Sequence, residues 1–347
     1  MARKTKKAVE EAPTQEVSHL VCFADLLGHA SKVAFVTKAL QRGVLPQSLL
    51  VTGQPGVGKT TFARMVAAAL QCDAPNRGAC GACEPCRKMR RGLHPDFRVV
   101  GLESNERTGK LRTEIVVDQI REQVLAPLSL PPFEGRKLVF LIEPAEALNV
   151  NAQNALLKSL EEPPPYGHFI LVAANPSGLL QTVRSRCQEI ALGPVPPGEM
   201  CKAMAARGIP QEQGEEVLAM AGGSPGRLAD FAGGGAHERR RSIVDLLARG
   251  LSAAAFPDLA PAVEALAKEP SRDLVALSAG LVRDAQRVAL GQRPRLHGDF
   301  SEALREAGRH RGQEGLQVVA ERLAEAPEHL EHNVNPRLLI EKIFLVP

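Results

Sequence analysis

Through the first half of the chain apolar residues come in short unbroken runs; through the second half they recur at helical spacing. Ser48–Thr52, Phe97–Val100, Leu138–Ile142, Phe169–Ala174 and Glu189–Leu192 have the length and texture of strands, and stretches of helical period separate them. This alternation predicts an α/β domain with a parallel sheet from about Phe23 to Leu192. The Pro-rich stretch Gly193-Pro-Val-Pro-Pro197 ends the pattern, a short helical region follows, and Gly233-Gly-Gly235 makes a second break. From His237 onward the chain is rich in Ala, Leu, Arg and Glu at helical period, punctuated by Pro257, Pro261, Pro270 and Pro294. Domains are therefore expected over 20–192, 193–236 and 237–347, after a solvated tail over 1–19.

Composition narrows the functions open to such a chain. With 347 residues it exceeds one ordinary domain. It has no Trp, one Tyr (Tyr166) and 11 Phe, too few for base stacking to be its main activity. A net charge of +4 and a pI near 8.7 permit contact with nucleic acid without requiring it. Arg239-Arg-Arg241 reads as the solvated start of a helix. No apolar run has the length of a membrane span, and the basic N-terminus lacks the apolar core of a signal peptide. The cytosol is thus the expected location. Its cysteines should be reduced there, and clustered ones suggest a metal.

Gly53-Gln-Pro-Gly-Val-Gly58-Lys59-Thr60 fits the phosphate-binding pattern G-x-x-x-x-G-K-[ST] at every position. Gly53, Gly56 and Gly58 let the backbone curl so that its N–H groups face phosphates, Lys59 supplies positive charge, and the Thr60 hydroxyl suits Mg²⁺. A strand precedes the loop. Thr61–Leu70 reads as a helix whose N-terminus adds its own dipole, with Thr61 in its first turn.

Cys72, Cys80, Cys83 and Cys86 place four thiols within fifteen positions, three of them at C-x-x-C spacing, a set that can close a tetrahedral Zn²⁺ site. A redox C-x-x-C has two cysteines at a helix start, and the ferredoxin spacing would need another cysteine after Cys86. Nothing in the stretch suggests an open coordination position, so a structural role is expected. Cys22, Cys187 and Cys201 read as ordinary small apolar residues.

A nucleotide-hydrolysing site needs a second strand ending in acid. Leu138–Ile142 ends in Glu143-Pro144-Ala145-Glu146. Glu143 suits the metal side, Pro144 cannot act as a base, and Glu146 reads as an exposed charge opening a helix. The helix carrying Asn154-Ala-Leu-Leu-Lys-Ser-Leu-Glu-Glu must end at Glu161 or Glu162, before Pro163–Pro165. Arg184 and Arg186 follow the next strand, where they could reach a phosphate in this subunit or in a neighbour.

Together these motifs resemble the bacterial replicative clamp loader, the AAA+ assembly of DNA polymerase III holoenzyme. The resemblance rests on Gly53–Thr60, the four clustered cysteines, Asn154-Ala-Leu-Leu-Lys-Ser-Leu-Glu-Glu-Pro-Pro164, Ser185-Arg186-Cys187, Gly223-Ser-Pro-Gly-Arg227 and Asn333–Glu341. Within the family it is similar to the delta-prime type. The gamma/tau motor carries Asp-Glu where this chain has Glu143-Pro144, and a polar sensor residue where it has Ala174 beside Asn175. The alternative is an active gamma/tau-type ATPase. The resemblance implies an AAA+ P-loop domain with a zinc-binding insertion at 72–86, a small helical lid and an all-α collar. It also implies a heteropentameric ring with gamma/tau and delta, acting on the sliding clamp and primer–template DNA in replication. Arg186 would be an arginine finger reaching a neighbouring ATP site, and Arg227 the lid arginine on nucleotide bound here with Mg²⁺.

Overall fold

The computed structural model describes residues 21–75, 77–104, 112–207, 209, 217–218, 221–230, 234–249, 256–268, 271–295, 297–331 and 334–345; the tail expected over 1–19 lies outside them. The chain divides into two compact units, Met1–Val195 and Pro196–Pro347. The division falls inside the Pro-rich stretch.

The first unit is built on a parallel sheet of five strands, β1 (Ser48–Gly53), β2 (Phe97–Val100), β3 (Leu138–Ile142), β4 (Gly167–Ala173) and β5 (Gln188–Leu192), in the order β2-β3-β4-β1-β5. The expected strands are all present; β1 runs one residue further than its apolar run, and β4 is shifted toward Gly167. Both faces are buried, which is why the central strands read as unbroken apolar runs. Leu49, Val51, Val139, Leu141, Ile170 and Val172 face one core, with α2 (Lys59–Gln71) laid over them after α1 (Ala30–Gln41). Leu50, Leu138, Phe140, Ile142, Phe169 and Leu171 alternate onto the other face. That face is covered by α4 (Val117–Ile120), continued by helical turns to Leu128, and by α5 (Val150–Glu161). Between these lies the short α3 (Glu84–Arg90), and α6 (Gln181–Arg184) leads into β5. The Asn149 side chain starts α5 by accepting the Ala152 N–H at 2.9 Å, and the helix ends at Glu161, before the prolines.

The second unit is helical: α7 (Pro197–Ala206), a 3₁₀ segment Pro225–Asp230, α8 (Gly234–Arg249), α9 (Phe256–Leu266), α10 (Ser271–Ala289), α11 (Ser301–Glu331) and α12 (Pro336–Phe344). Of the triglycine expected as a break, Gly234 and Gly235 are the first residues of α8, and Gly233 lies outside the described residues. One apolar core joins α8 to α12, with Ile243, Leu247, Leu281, Leu316 and Ile343 among its buried residues. Arg240 corrects the reading of Arg239–Arg241 as solvated. It is buried, its Nη2 lies 3.0 Å from an Asp299 carboxylate oxygen, and its guanidinium sits 5.1 Å over the Phe300 ring. Among the described residues no helix is long and apolar enough to cross a membrane.

Arg311 is the charged centre of this unit. It is buried, and its guanidinium donates to the carbonyls of Leu247 at 2.5 Å, Leu246 at 3.0 Å and Phe344 at 2.5 Å. These carbonyls belong to the last turns of α8 and α12, which have no intrahelical donors left. Burial pulls the Arg311 pKa down to about 10, still charged at neutral pH. Arg311→Met would keep the aliphatic stem and strand these carbonyls. Urea unfolding should then show a loss of about 3 kcal/mol, and a change under about 0.5 kcal/mol would refute the capping role.

Candidate functional site

At the C-terminal end of β1 the chain turns through the glycine loop into α2. Gly53 (φ 146°) passes so close to β5 that a Cβ there would lie 2.4 Å from the Leu192 carbonyl oxygen, and Gly56 and Gly58 also take positive φ (75° and 105°). No side chain caps the N-terminus of α2, so its first-turn N–H groups face the loop, Thr60 and Thr61 among them. Lys59 is buried, and its Nζ donates to the Gln54 carbonyl at 3.0 Å. Burial lowers the Lys59 pKa, while Glu146 and Glu143 work against that shift. The Thr60 hydroxyl donates to a Glu143 carboxylate oxygen, bringing together the two groups expected on the Mg²⁺ side. Two residues join the site without a sequence signal. His29 Nε2 lies 3.1 Å from the Val57 carbonyl of the loop, and Arg64 on α2 is shifted down by burial with Glu143 opposing.

Glu146 is not the exposed helix-opening charge expected from sequence. It is half-buried, and its Oε1 accepts the backbone N–H groups of Ala174 at 2.9 Å and Asn175 at 3.3 Å, tying the 145–147 turn to the end of β4. Its Oε2 is buried with no hydrogen-bond partner. The Asn175 side chain is occupied in capping the next turn, accepting the Ser177 N–H at 3.1 Å.

Arg186 lies elsewhere. It precedes the N-terminal end of β5, and the β1–β5 register pairs Leu49 with Gln188 and Gly53 with Leu192. At roughly 3.3 Å per residue the start of β5 at Gln188 is about 13 Å along the sheet from the level of Gly53, and Arg186 precedes it, at the opposite end from the loop. Its Nε and Nη2 contact Glu161 Oε2 at 2.9 and 2.8 Å, and its Nη1 donates to the Thr182 carbonyl at 3.1 Å. Arg184 is exposed, and burial pushes the neighbouring Cys187 thiol up to about 12. Arg227 is in the second unit, half-buried within Pro225–Asp230.

The four cysteines come together. Their sulfurs all lie within 4.8 Å of one another, with Cys72–Cys83 at 3.9 Å and Cys80–Cys86 at 4.0 Å. A tetrahedral ion with metal–sulfur bonds of about 2.3 Å sets sulfurs about 3.8 Å apart, so this donor set fits a metal. Backbone N–H groups of Ala82 and Cys83 draw the Cys80 pKa down to about 6, whereas burial raises Cys86. Of the other thiols, read as ordinary small apolar residues, Cys22 is half-buried and Cys201 is exposed on α7. The cysteine module is fastened to the sheet through Asp96. This buried carboxylate accepts the backbone N–H groups of Phe133 at 2.6 Å, Glu134 at 2.8 Å and Gly135 at 2.5 Å. Burial alone would raise the Asp96 pKa, but those three donors hold it below the usual value.

A glycine loop closed on a buried lysine and an uncapped helix, beside an acidic strand end on a parallel sheet, defines a protein of the P-loop class. Residues 28–196 match the family described as DNA polymerase III, delta subunit. The chain is 42% identical over 200 residues to the DNA polymerase III subunit delta-prime of Pseudomonas aeruginosa, covering 56% of this chain and 58% of that protein. It is 28% identical over 310 residues to the delta-prime subunit of Escherichia coli, covering 88% of this chain and 90% of that protein. A solved gamma subunit-related protein of Thermotoga maritima superposes with a TM-score of 0.47 at 14% identity, over 90% of this chain and 97% of that one. The chain is thus related to the bacterial DNA polymerase III clamp-loader subunits and resembles the delta-prime type.

Elemental analysis of the purified chain should find about one tightly held metal ion, and Cys83→Ser should lose it and melt several degrees lower. A metal-free wild type of equal stability would exclude the site. Asp96→Asn should cost about 2 kcal/mol at pH 7. Because the folded-state pKa is depressed, that contribution is complete above about pH 4 and is lost as pH falls through the folded value. Unfolding curves of wild type and variant should therefore converge in acid, and a gap that stays constant would show that the carboxylate charge is not what matters.

Proposed function

We propose that this chain is a delta-prime-type subunit of the DNA polymerase III clamp loader, a scaffold that completes the ATP site of a neighbouring gamma/tau subunit. What supports this reading is that Arg186 sits at the far end of the sheet from its own glycine loop, out of reach of a phosphate held there and open to one held by a neighbouring chain. Glu161 keeps its guanidinium ordered there. In this subunit the backbone of Gly53, Gly56 and Gly58, with Lys59, Thr60 and Thr61, would hold ATP phosphates. Thr60 and Glu143 would hold Mg²⁺, and Arg227 keeps the lid role that the resemblance gives it. When bound, the ion would offset phosphate charge; Pro144 has no side-chain proton acceptor, so turnover here is weak or absent. Zn²⁺ at Cys72, Cys80, Cys83 and Cys86 is structural. The helices of 237–347 form the collar of a ring with gamma/tau and delta, and 193–236 the lid. The partners of the assembled ring are the sliding clamp and primer–template DNA, and its setting is the cytoplasmic replisome.

The test is steady-state ATP hydrolysis by the full chain, alone and reconstituted with gamma/tau, delta, clamp and primed DNA. The chain alone should be nearly inert. Arg186→Ala should slow the complex by about tenfold or more, well beyond the effect of Lys59→Ala. Turnover by the isolated chain that Lys59→Ala abolishes would make it a gamma/tau-type motor instead, with Glu146 the first candidate for its base.

A further inference from the structure

We infer that the end of α10 and the loop behind it, in the second unit, form a binding surface for the phosphate backbone of nucleic acid. This does not depend on the nucleotide site. Helix α10 stops at Ala289, and Gly291 (φ 74°) reverses the chain, with the Gln292 N–H returning to the Arg287 carbonyl at 2.9 Å. The loop is then pinned back onto the helix. Asp284 is 1% exposed, and its two carboxylate oxygens accept the backbone N–H groups of Arg295 and His297, each at 2.8 Å. Arg287 Nε donates to the Arg293 carbonyl at 3.2 Å from the same side. The result is a fixed group of four guanidinium-bearing residues, Arg283, Arg287, Arg293 and Arg295, three of them exposed and Arg287 half-buried.

None of the four is in an ion pair among the described residues. Two acids in this part of the fold are already engaged: Asp284 by backbone N–H groups, and Asp299 by Arg240. Four guanidinium groups without ion pairs, two on the last turns of α10 and two on the braced loop behind it, match phosphate oxygens, which they can bind through paired N–H donors. An acidic polypeptide is the competing occupant, but it would want an apolar anchor. The neighbouring groove, beside Leu290 and Val318, is lined by Glu314 and Glu321 with Gln286, Gln313 and Gln317 and not by these arginines, so it would repel an acidic chain. No Tyr or Trp lies in this segment to stack a base, so binding should be independent of sequence and strongly dependent on salt.

Fluorescence anisotropy of the full chain with a labelled single strand and with a labelled duplex, across about 50 to 200 mM salt, tests this. The triple variant Arg283→Ala, Arg293→Ala, Arg295→Ala should melt with wild type, bind about tenfold or more weakly at low salt, and lose about 2 to 3 from the salt slope. Loss in either arm supports the surface, and the stronger arm says whether it takes single or double strands. Asp284→Asn supplies a second readout. It removes a negative charge, so a bare charge effect predicts tighter binding, whereas a braced surface predicts weaker binding. Unchanged affinity and slope in the triple variant, tighter binding by Asp284→Asn, or displacement by polyglutamate as effective as by DNA would each overturn the proposal. So would an equal loss in Lys59→Ala, which would put the contact at the glycine loop.

Discussion

Burial of the sheet on both faces is the constraint from which the first unit follows. Val139 and Leu141 point to one core, and Phe140 and Ile142 to the other, so the central strands β1, β3 and β4 have no face on which to carry a charged group, and the charged strand residues Arg98 and Glu189 lie on the edge strands β2 and β5. Polar chemistry is left to the ends of the strands. Because the strands are parallel, their ends are of two kinds. The C-terminal ends hold the glycine loop, Glu143 and the turn carrying Glu146. The N-terminal ends hold Arg186 and Glu161, beside Ser48, whose hydroxyl donates to the Leu160 carbonyl. The length of β5 alone keeps Arg186 from Lys59. The sheet thus separates this cation from the chain's own glycine loop.

The cysteine module meets a different constraint. It hangs between the end of α2 and β2 and is short, and what it offers in place of a large core is a donor set that fits a metal. The thiols gather at one point. Gln71, immediately before Cys72, donates its side-chain amide to the carbonyls of Asp96 at 3.2 Å and Lys137 at 2.7 Å. The residue just before the module is thereby tied to the residue just before β2 and to the residue just before β3. Gly135 permits the approach, since a Cβ there would fall 2.4 Å from Gln71 Oε1.

Legibility in the sequence followed the range of the interaction. The strands, the glycine loop, α2, the end of α5 and the cysteine cluster were readable because each rests on short-range spacing or on residues with one conformational use. Glu146 was misread for the opposite reason: its partners, the N–H groups of Ala174 and Asn175, are nearly thirty residues away and leave no mark on local pattern. Arg240 looked solvated within a basic triplet because nothing nearby announces Asp299 and Phe300. For Arg186 the motif was legible but its location was not. Only strand order and register set it at the far end from the loop.

Asp96, Asp284 and Arg311 share a logic that periodicity cannot detect. Each is a charged side chain with little or no solvent exposure, and each spends its charge on several backbone groups from a distant segment. A buried charge is costly when alone, yet charge-assisted bonds to two or three backbone partners offset that cost. The backbone gains as well, since helix ends and loop N–H groups would otherwise be orphaned away from water. Such a residue fixes the path of a loop while leaving the loop's own side chains free. Phe133 is 84% exposed although its N–H is held by Asp96, and Arg295 is exposed although its N–H is held by Asp284. Braces of this kind therefore let a surface be rigid in backbone and open in side chain, the combination a binding loop needs if ordering it is not to consume the affinity it provides.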